Sequence, residues 1–462
     1  MKTFASFLLV FLLSYSPVFF VSFAASDDYG AVATSIRGKS AIASGLLSHV
    51  SWSEISFLLV KDISGLVYLR IVSVVGIALL AWCLHRTLML VGWSWLESFV
   101  TSIIAFTMPP FQVYASWAVT AFYPFAAILS AAAVLLLERM FSAAAESRWH
   151  RHGYAIGSIL LMVVALSIYQ PAAMFFWVFA AVMLFRPGAP LRSVVSRFCW
   201  YNVITFVSLI SWFLLSSSFK MADDAWIKIE WFLQEPLTNA LNLSMLSSQA
   251  WLAVTIGILL IVGLLFYLKG SNRERFTQLL IAISILPLSY LPNLIIAESW
   301  SSYRTLSALT SIIVVYAFFS LSRYMQFLRR VMDVPPIVGV IAAFICCLWA
   351  ANNVRAYFAR PLSIELQWMR SQIDTKDLST ARSIYVIPSS WQDSIAPAVR
   401  YDEFGFPFST QRYALEPAVY LLLREVRPEK AGLPIEIAPV DGSIKPPFDA
   451  LLVDMRRLKY AE

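Results

Sequence analysis

The sequence predicts a polytopic α-helical membrane protein, with about eleven hydrophobic spans over residues 1–352 and a small C-terminal α/β soluble domain over 353–462. Three observations carry that expectation. Hydrophobic residues make up 59% of the 462 positions and charged ones only 14%, whereas an ordinary soluble domain holds about 45–50% and about 25%. The apolar residues come in runs close to the ~20 residues that a helix needs to cross hydrocarbon. Lys and Arg gather in the short polar connections between those runs, so the net charge of +7 is a topology signal and not a nucleic-acid footprint.

The first run, Phe4 to Ala24, follows Lys2 and ends just before Asp27-Asp28. It is longer than the ~7–15 apolar residues of a secretory leader, so it reads as a span. Whether or not it is cleaved, the acidic pair emerges on the non-cytoplasmic side. Basic residues then mark the inner loops: His85-Arg86; Arg139, Arg148 and Arg151; Arg186, Arg192 and Arg197; Lys269, Arg273 and Arg275; Arg323, Arg329 and Arg330. Between them lie spans near 66–84, 98–116, 120–138, 154–170, 171–185, 198–218, 250–268, 277–296, 306–322 and 335–352. The stretch 98–138 would make a helix of about 60 Å, twice the hydrocarbon thickness, so it is divided at Pro109-Pro110 and Pro124. The stretch 154–185 is divided at Pro171. Its second half is short enough to be re-entrant, and Arg186 to Arg197 favour a full crossing.

Two outer loops, 25–65 and 219–248, mix charges with Trp, Phe and Ile and read as interfacial segments. An odd number of crossings puts the tail outside. There 363–375 reads as helix, Ser383 to Pro388 as a buried strand, Pro417 to Val426 as helix, and Pro434 to Val440 and Phe448 to Met455 as strands. The four cysteines, Cys83, Cys199, Cys346 and Cys347, lie in or beside apolar runs and have neither disulfide nor zinc spacing.

Three polar motifs carry candidate chemistry. Asp27-Asp28 stands at the outer end of the first span, where a carboxylate could take a proton from an attacking hydroxyl; an ordinary polar terminus is the plain alternative. Arg304, in Glu298-Ser-Trp-Ser-Ser-Tyr-Arg304, offers the forked donors that suit phosphate, or else pairs with Glu298. Tyr169-Gln170, at an outward hairpin tip, could hydrogen-bond a sugar. Lys220 and Arg37 are further cations on the same predicted face. No P-loop, Gly-rich phosphate cradle or His cluster occurs, and apart from Arg70 the deep parts of the spans hold almost no charge. An enzyme at the membrane face fits that pattern better than a nucleotide-driven or ion-coupled pump.

Asp27-Asp28-Tyr29 after the first span, Leu166 to Gln170 in a hairpin and Arg304 to Leu306 entering a late span resemble motifs of bacterial and phage O-antigen glucosyltransferases. These belong to the GT-C class of polytopic glycosyltransferases, and the similarity of layout covers most of residues 1–352. The resemblance implies transfer of a hexose, glucose by this likeness, from a polyprenyl-phosphate carrier to a glycan such as O-antigen or a lipid-linked oligosaccharide. The reaction site and the tail would lie on the periplasmic side of the inner membrane. In that class an acidic residue of the first outer loop sits at the reaction centre, which maps onto Asp27 or Asp28, with Asp28 slightly favoured as base. Arg304, helped by Lys220 or Arg37, would hold donor phosphate; Tyr169 and Gln170 match a motif, and Glu298 flanks the same loop. Some members use a divalent metal, but no ligand set is evident here. A flippase and a carrier-charging glycosyltransferase are the expected companions. The runner-up function is a lipid-linked saccharide flippase or transporter.

Overall fold

A computed structural model describes residues 2–37, 60–142, 148–216, 220–242, 249–328, 337–375, 381–397, 403–439, 447–456 and 458. Most of the interfacial segment expected at 25–65 falls outside these residues, as does the end of the one expected at 219–248. Among the described residues seven helices are long and apolar enough to cross a membrane: Leu66–Leu90, Ala118–Phe141, Trp149–Ile168, Leu191–Leu215, Ala250–Tyr267, Tyr303–Ser322 and Ile337–Asp374.

The other apolar runs are helical but short or broken, and proline accounts for most of the breaks. The first run is not one helix. It forms α1 (Lys2–Ser14), a turn that Pro17–Phe20 continues, and an extended stretch that ends where α2 (Ser26–Ile36) begins. Pro17 has no N–H to carry the first helix onward. The 98–116 run splits into α3 (Trp95–Thr107) and α4 (Pro109–Ser116). Pro109 stands at the first position of α4, and Met108 before it is extended (φ −63°, ψ 157°), as the residue ahead of a proline prefers. Pro171 opens the turn Gln170–Ala173, and α5 (Phe175–Leu184) follows it wholly buried.

Where helices Ala250–Tyr267 and Ser307–Leu328 meet, a glycine permits the close approach. A Cβ on Gly263 would lie 2.2 Å from the Cβ of Ser320, and the Ser320 hydroxyl donates to the Leu260 carbonyl at 3.1 Å. Small residues at helix contacts serve this purpose in membranes.

The tail does not begin at a break. Helix Ile337–Val354 runs through a π-turn at Arg355–Ala359 into Arg360–Asp374, so the compositional boundary at 352 lies inside continuous helix. Beyond it, β1 (Ser383–Ile387) is flanked by β2 (Ile435–Ile437) and β3 (Ala450–Asp454) in a three-stranded parallel sheet of order β2-β1-β3. Helix α6 (Arg412–Val426) lies between β1 and β2 in sequence and contacts both β2 and α2. Bundle residues such as Tyr29 and Tyr303 and tail residues such as Phe404, Phe408 and Leu415 belong to one continuous hydrophobic core.

Candidate active site

The site starts from the first turn of α2. Asp28 points inward and is fully buried. Its Oδ2 accepts the Ala25 N–H at 3.0 Å, closing the helix N-terminus, and its Oδ1 accepts the Val119 N–H, also at 3.0 Å. Arg70 Nη2 stands 3.9 Å from Oδ2. The same guanidinium donates to the Ser116 and Phe23 carbonyls at 2.9 and 2.6 Å and lies 3.6 Å over the Phe23 ring. Burial pushes the Asp28 carboxyl up to about 6, against the opposing pull of Arg70 and the backbone N–H groups. Asp28 and Arg70 therefore act as a latch that fixes where α2 begins.

Consecutive helical residues point about 100° apart, so with Asp28 turned in, Asp27 faces outward into a cavity of about 790 Å³. Gly30, Ala31 and Thr34 continue that wall, at the i, i+3, i+4 and i+7 spacing of one helix face. Arg304 enters from the turn Tyr303–Leu306, whose backbone is tied down by the Tyr114 hydroxyl, 2.9 Å from both the Arg304 carbonyl and Ser307 Oγ. Arg304 Nη1 is 3.3 Å from Asp27 Oδ2, its Nε is 3.5 Å from Glu403 Oε1, and the guanidinium lies 5.2 Å over the Trp117 ring. The pairing with Glu298 considered from sequence is replaced by these two carboxylates. Glu298 itself is exposed at the cavity wall. Its loop is held by Lys228, whose Nζ donates to the Glu298 carbonyl at 2.6 Å and to Ser299 Oγ at 3.1 Å.

Tyr169 stacks flat on Tyr123, with ring centroids 3.7 Å apart and planes within 5°, and both line the cavity. Gln170 lines it too, and its buried Nε2 has no hydrogen-bond partner among the described residues. The buried Ser302 hydroxyl, also on the cavity, is in the same state. Across from α2, helix Leu191–Ser216 supplies an apolar wall that includes Phe206, Ile210 and Phe213.

Of the residues singled out from sequence, Asp27, Tyr169, Gln170, Glu298 and Arg304 come together on one cavity. Asp28, the slightly favoured base, sits behind the wall. Lys220 is exposed and not part of the lining; its carbonyl accepts the Ala297 N–H at 2.8 Å. Arg37 is turned away from the cavity, paired with Glu416 at 2.6 Å and stacked on Tyr420 at 4.2 Å. Sequence reasoning missed Tyr123, Glu403 and Tyr413. Tyr413 lies in the C-terminal tail, far in sequence from the three polar motifs, yet its hydroxyl donates to Asp27 Oδ1 at 3.0 Å. Burial, followed by the Asp27 charge, pushes the Tyr413 hydroxyl up to about 12, so it remains a donor at neutral pH. No local spacing links either tail residue to the motifs, so no sequence signal pointed to them.

Among the described residues no three His, Cys, Asp or Glu side chains gather as a metal ligand set. No family model matches the chain, and a search of curated proteins gives no match.

Proposed function

We propose that the chain is a GT-C-type membrane glycosyltransferase that moves a hexose from a polyprenyl-phosphate carrier to an extracytoplasmic glycan by a single inverting displacement. The observation that supports this reading best is the convergence of a carboxylate, an arginine 3.3 Å from it and a stacked aromatic pair on one cavity with an apolar wall. Eleven crossings, with the three short or broken apolar segments and Asn272–Leu288 counted alongside the seven long helices, would put this cavity on the periplasmic face of the inner membrane.

In the proposed step the acceptor hydroxyl oxygen attacks the anomeric carbon and its proton passes to Asp27. The bond from that carbon to the carrier phosphate breaks, and the phosphate leaves with the electron pair. Arg304 stabilises the charge that develops there. Arg304 is shared between Asp27 and Glu403; arriving phosphate competes for the guanidinium and frees the Asp27 carboxylate to act as base. The Tyr123–Tyr169 stack offers a flat face to the sugar, and Gln170 Nε2 and the Ser302 hydroxyl offer hydrogen bonds that no described residue takes up. The apolar wall suits the lipid part of the donor.

The test is transfer of radiolabelled hexose from a polyprenyl-phosphate donor to extracted lipopolysaccharide or lipid-linked glycan by the purified protein. Label in the glycan supports the reading. Carrier lipid that crosses the bilayer of proteoliposomes without any transfer replaces it with a flippase.

A further inference from the structure

The tail touches the pair assigned to chemistry at two points, Tyr413 from the cavity wall and Glu403 from behind Arg304. Tyr413 donates to Asp27 Oδ1 at 3.0 Å, while Arg304 holds Oδ2 at 3.3 Å, so the carboxylate is gripped from both sides and its plane is fixed. Glu403, with a fully buried side chain, stands 3.5 Å from Arg304 Nε and accepts the Tyr303 N–H at 3.3 Å. The docking around these contacts is continuous. Phe404 meets Tyr303 with ring centroids 5.1 Å apart, Phe408 meets Tyr29 at 4.5 Å, and Glu416 pairs with Arg37.

We propose that the C-terminal segment completes the reaction centre, with Tyr413 as a positioning residue for the Asp27 carboxylate and Glu403 as the counter-charge that keeps Arg304 from closing fully onto Asp27. The assignment rests on the glycosyltransferase reading for its effect on rate, but not for its geometry. The tyrosine hydroxyl leaves one lone-pair direction of each carboxylate oxygen for an incoming hydroxyl. Glu403 shares the guanidinium charge, so Asp27 is not locked in a full ion pair and donor phosphate meets a partly neutralised cation.

Two independent measurements on the full-length protein test this. The first is transfer kinetics. Tyr413→Phe removes one hydroxyl from a bond to a charged acceptor, and kcat should fall about ten- to a hundredfold with donor KM within about twofold of wild type. Glu403→Gln keeps an acceptor for the Tyr303 N–H but removes the charge, so kcat should fall while donor KM also falls, because phosphate meets a less neutralised arginine. A merely structural role would not split kcat from KM in this way. Glu416→Gln, at the same docking face but off the cavity, should match wild type within about twofold, since exposed ion pairs contribute little.

The second measurement needs no turnover: a double-mutant cycle in thermal stability between Tyr413→Phe and Asp27→Asn. The Tm losses should be clearly less than additive, as for residues in contact. Additive losses, or unchanged kcat in Tyr413→Phe beside an active wild type, would overturn the proposal. If the wild type transfers no sugar, the glycosyltransferase reading falls, and the cycle still decides whether the tail holds Asp27.

Discussion

Two clusters in this molecule each bring an arginine and a tyrosine hydroxyl onto one carboxylate, with opposite outcomes. Toward one end of the bundle, Tyr201 donates to Glu138 Oε1 at 2.5 Å and Arg197 Nε stands 3.3 Å from the same oxygen, with Arg197 also 5.3 Å over the Phe141 ring. Around the cavity, Tyr413 donates to Asp27 and Arg304 stands 3.3 Å from it. Tyr123 and Glu138 share one helix, and Arg197 and Ile210 share another, so the two clusters lie about 20 Å apart along the same helices. Both charged side chains of the first cluster are 8% exposed, against 23% for Arg304 and 35% for Asp27. The first carboxylate is enclosed by packing, whereas the second opens onto 790 Å³ of cavity. An arginine, a carboxylate and a tyrosine do not make a site; access does. A closed triad holds helices together, and an open one has coordination capacity to spare.

The sharpest way to break this comparison is to remove the proton acceptor from each cluster. Asp27→Asn should lower transfer by about 10²–10⁴-fold, at unchanged expression and with only the modest Tm loss that its contacts with Tyr413 and Arg304 account for. Glu138→Gln should do the reverse, leaving turnover per folded molecule near wild type. Equal activity losses in the two variants would erase the distinction between open and closed.

The arginines come next. Arg304→Ala should cost roughly a hundred- to a thousandfold in rate if its role is like that of one oxyanion donor, and Arg304→Lys should restore only part of it because the fork is lost. Arg197→Ala should instead destabilise by about 3–5 kcal/mol, because it strands the buried Glu138 charge. That loss is read as a lower Tm in detergent. A stable but inactive Arg197→Ala protein would mean that the closed cluster has been misjudged.

What the sequence could tell follows the same line between local and distant. Apolar run lengths placed every long helix, and Pro109 and Pro171 marked real breaks, because the bilayer and proline act on neighbouring residues. Pro17 divides the first run by the same local rule, yet length alone suggested a single span. Asp27, Arg304, Tyr169 and Gln170 were legible because each lies at a helix end, and these ends meet on one cavity. Which of two adjacent aspartates faces the cavity was not, since that depends on Arg70 and the Val119 N–H, contacts from 42 and 91 positions further along the chain. Tyr413 and Glu403 were invisible for the same reason: Tyr413 meets Asp27 across 386 positions, and no periodicity reports such a contact.

The smallest effect separates Asp28 from its neighbour by pH. Burial raises the Asp28 carboxyl from 3.8 to about 6 in the folded protein, so the folded state binds that proton more tightly than the unfolded chain does. The resulting stabilisation is complete below about pH 4, the unfolded value, and is lost as pH rises through about 6. Wild-type Tm should therefore fall relative to that of Asp28→Asn between pH 4.5 and 7.5, since asparagine cannot titrate. Below pH 4 the two profiles should run parallel. This window belongs to stability and is read in melting, not in turnover. Parallel profiles across the whole range would mean that Arg70, 3.9 Å away, offsets the burial of Asp28, and that the buried acid stays charged in the folded protein as readily as in the unfolded chain.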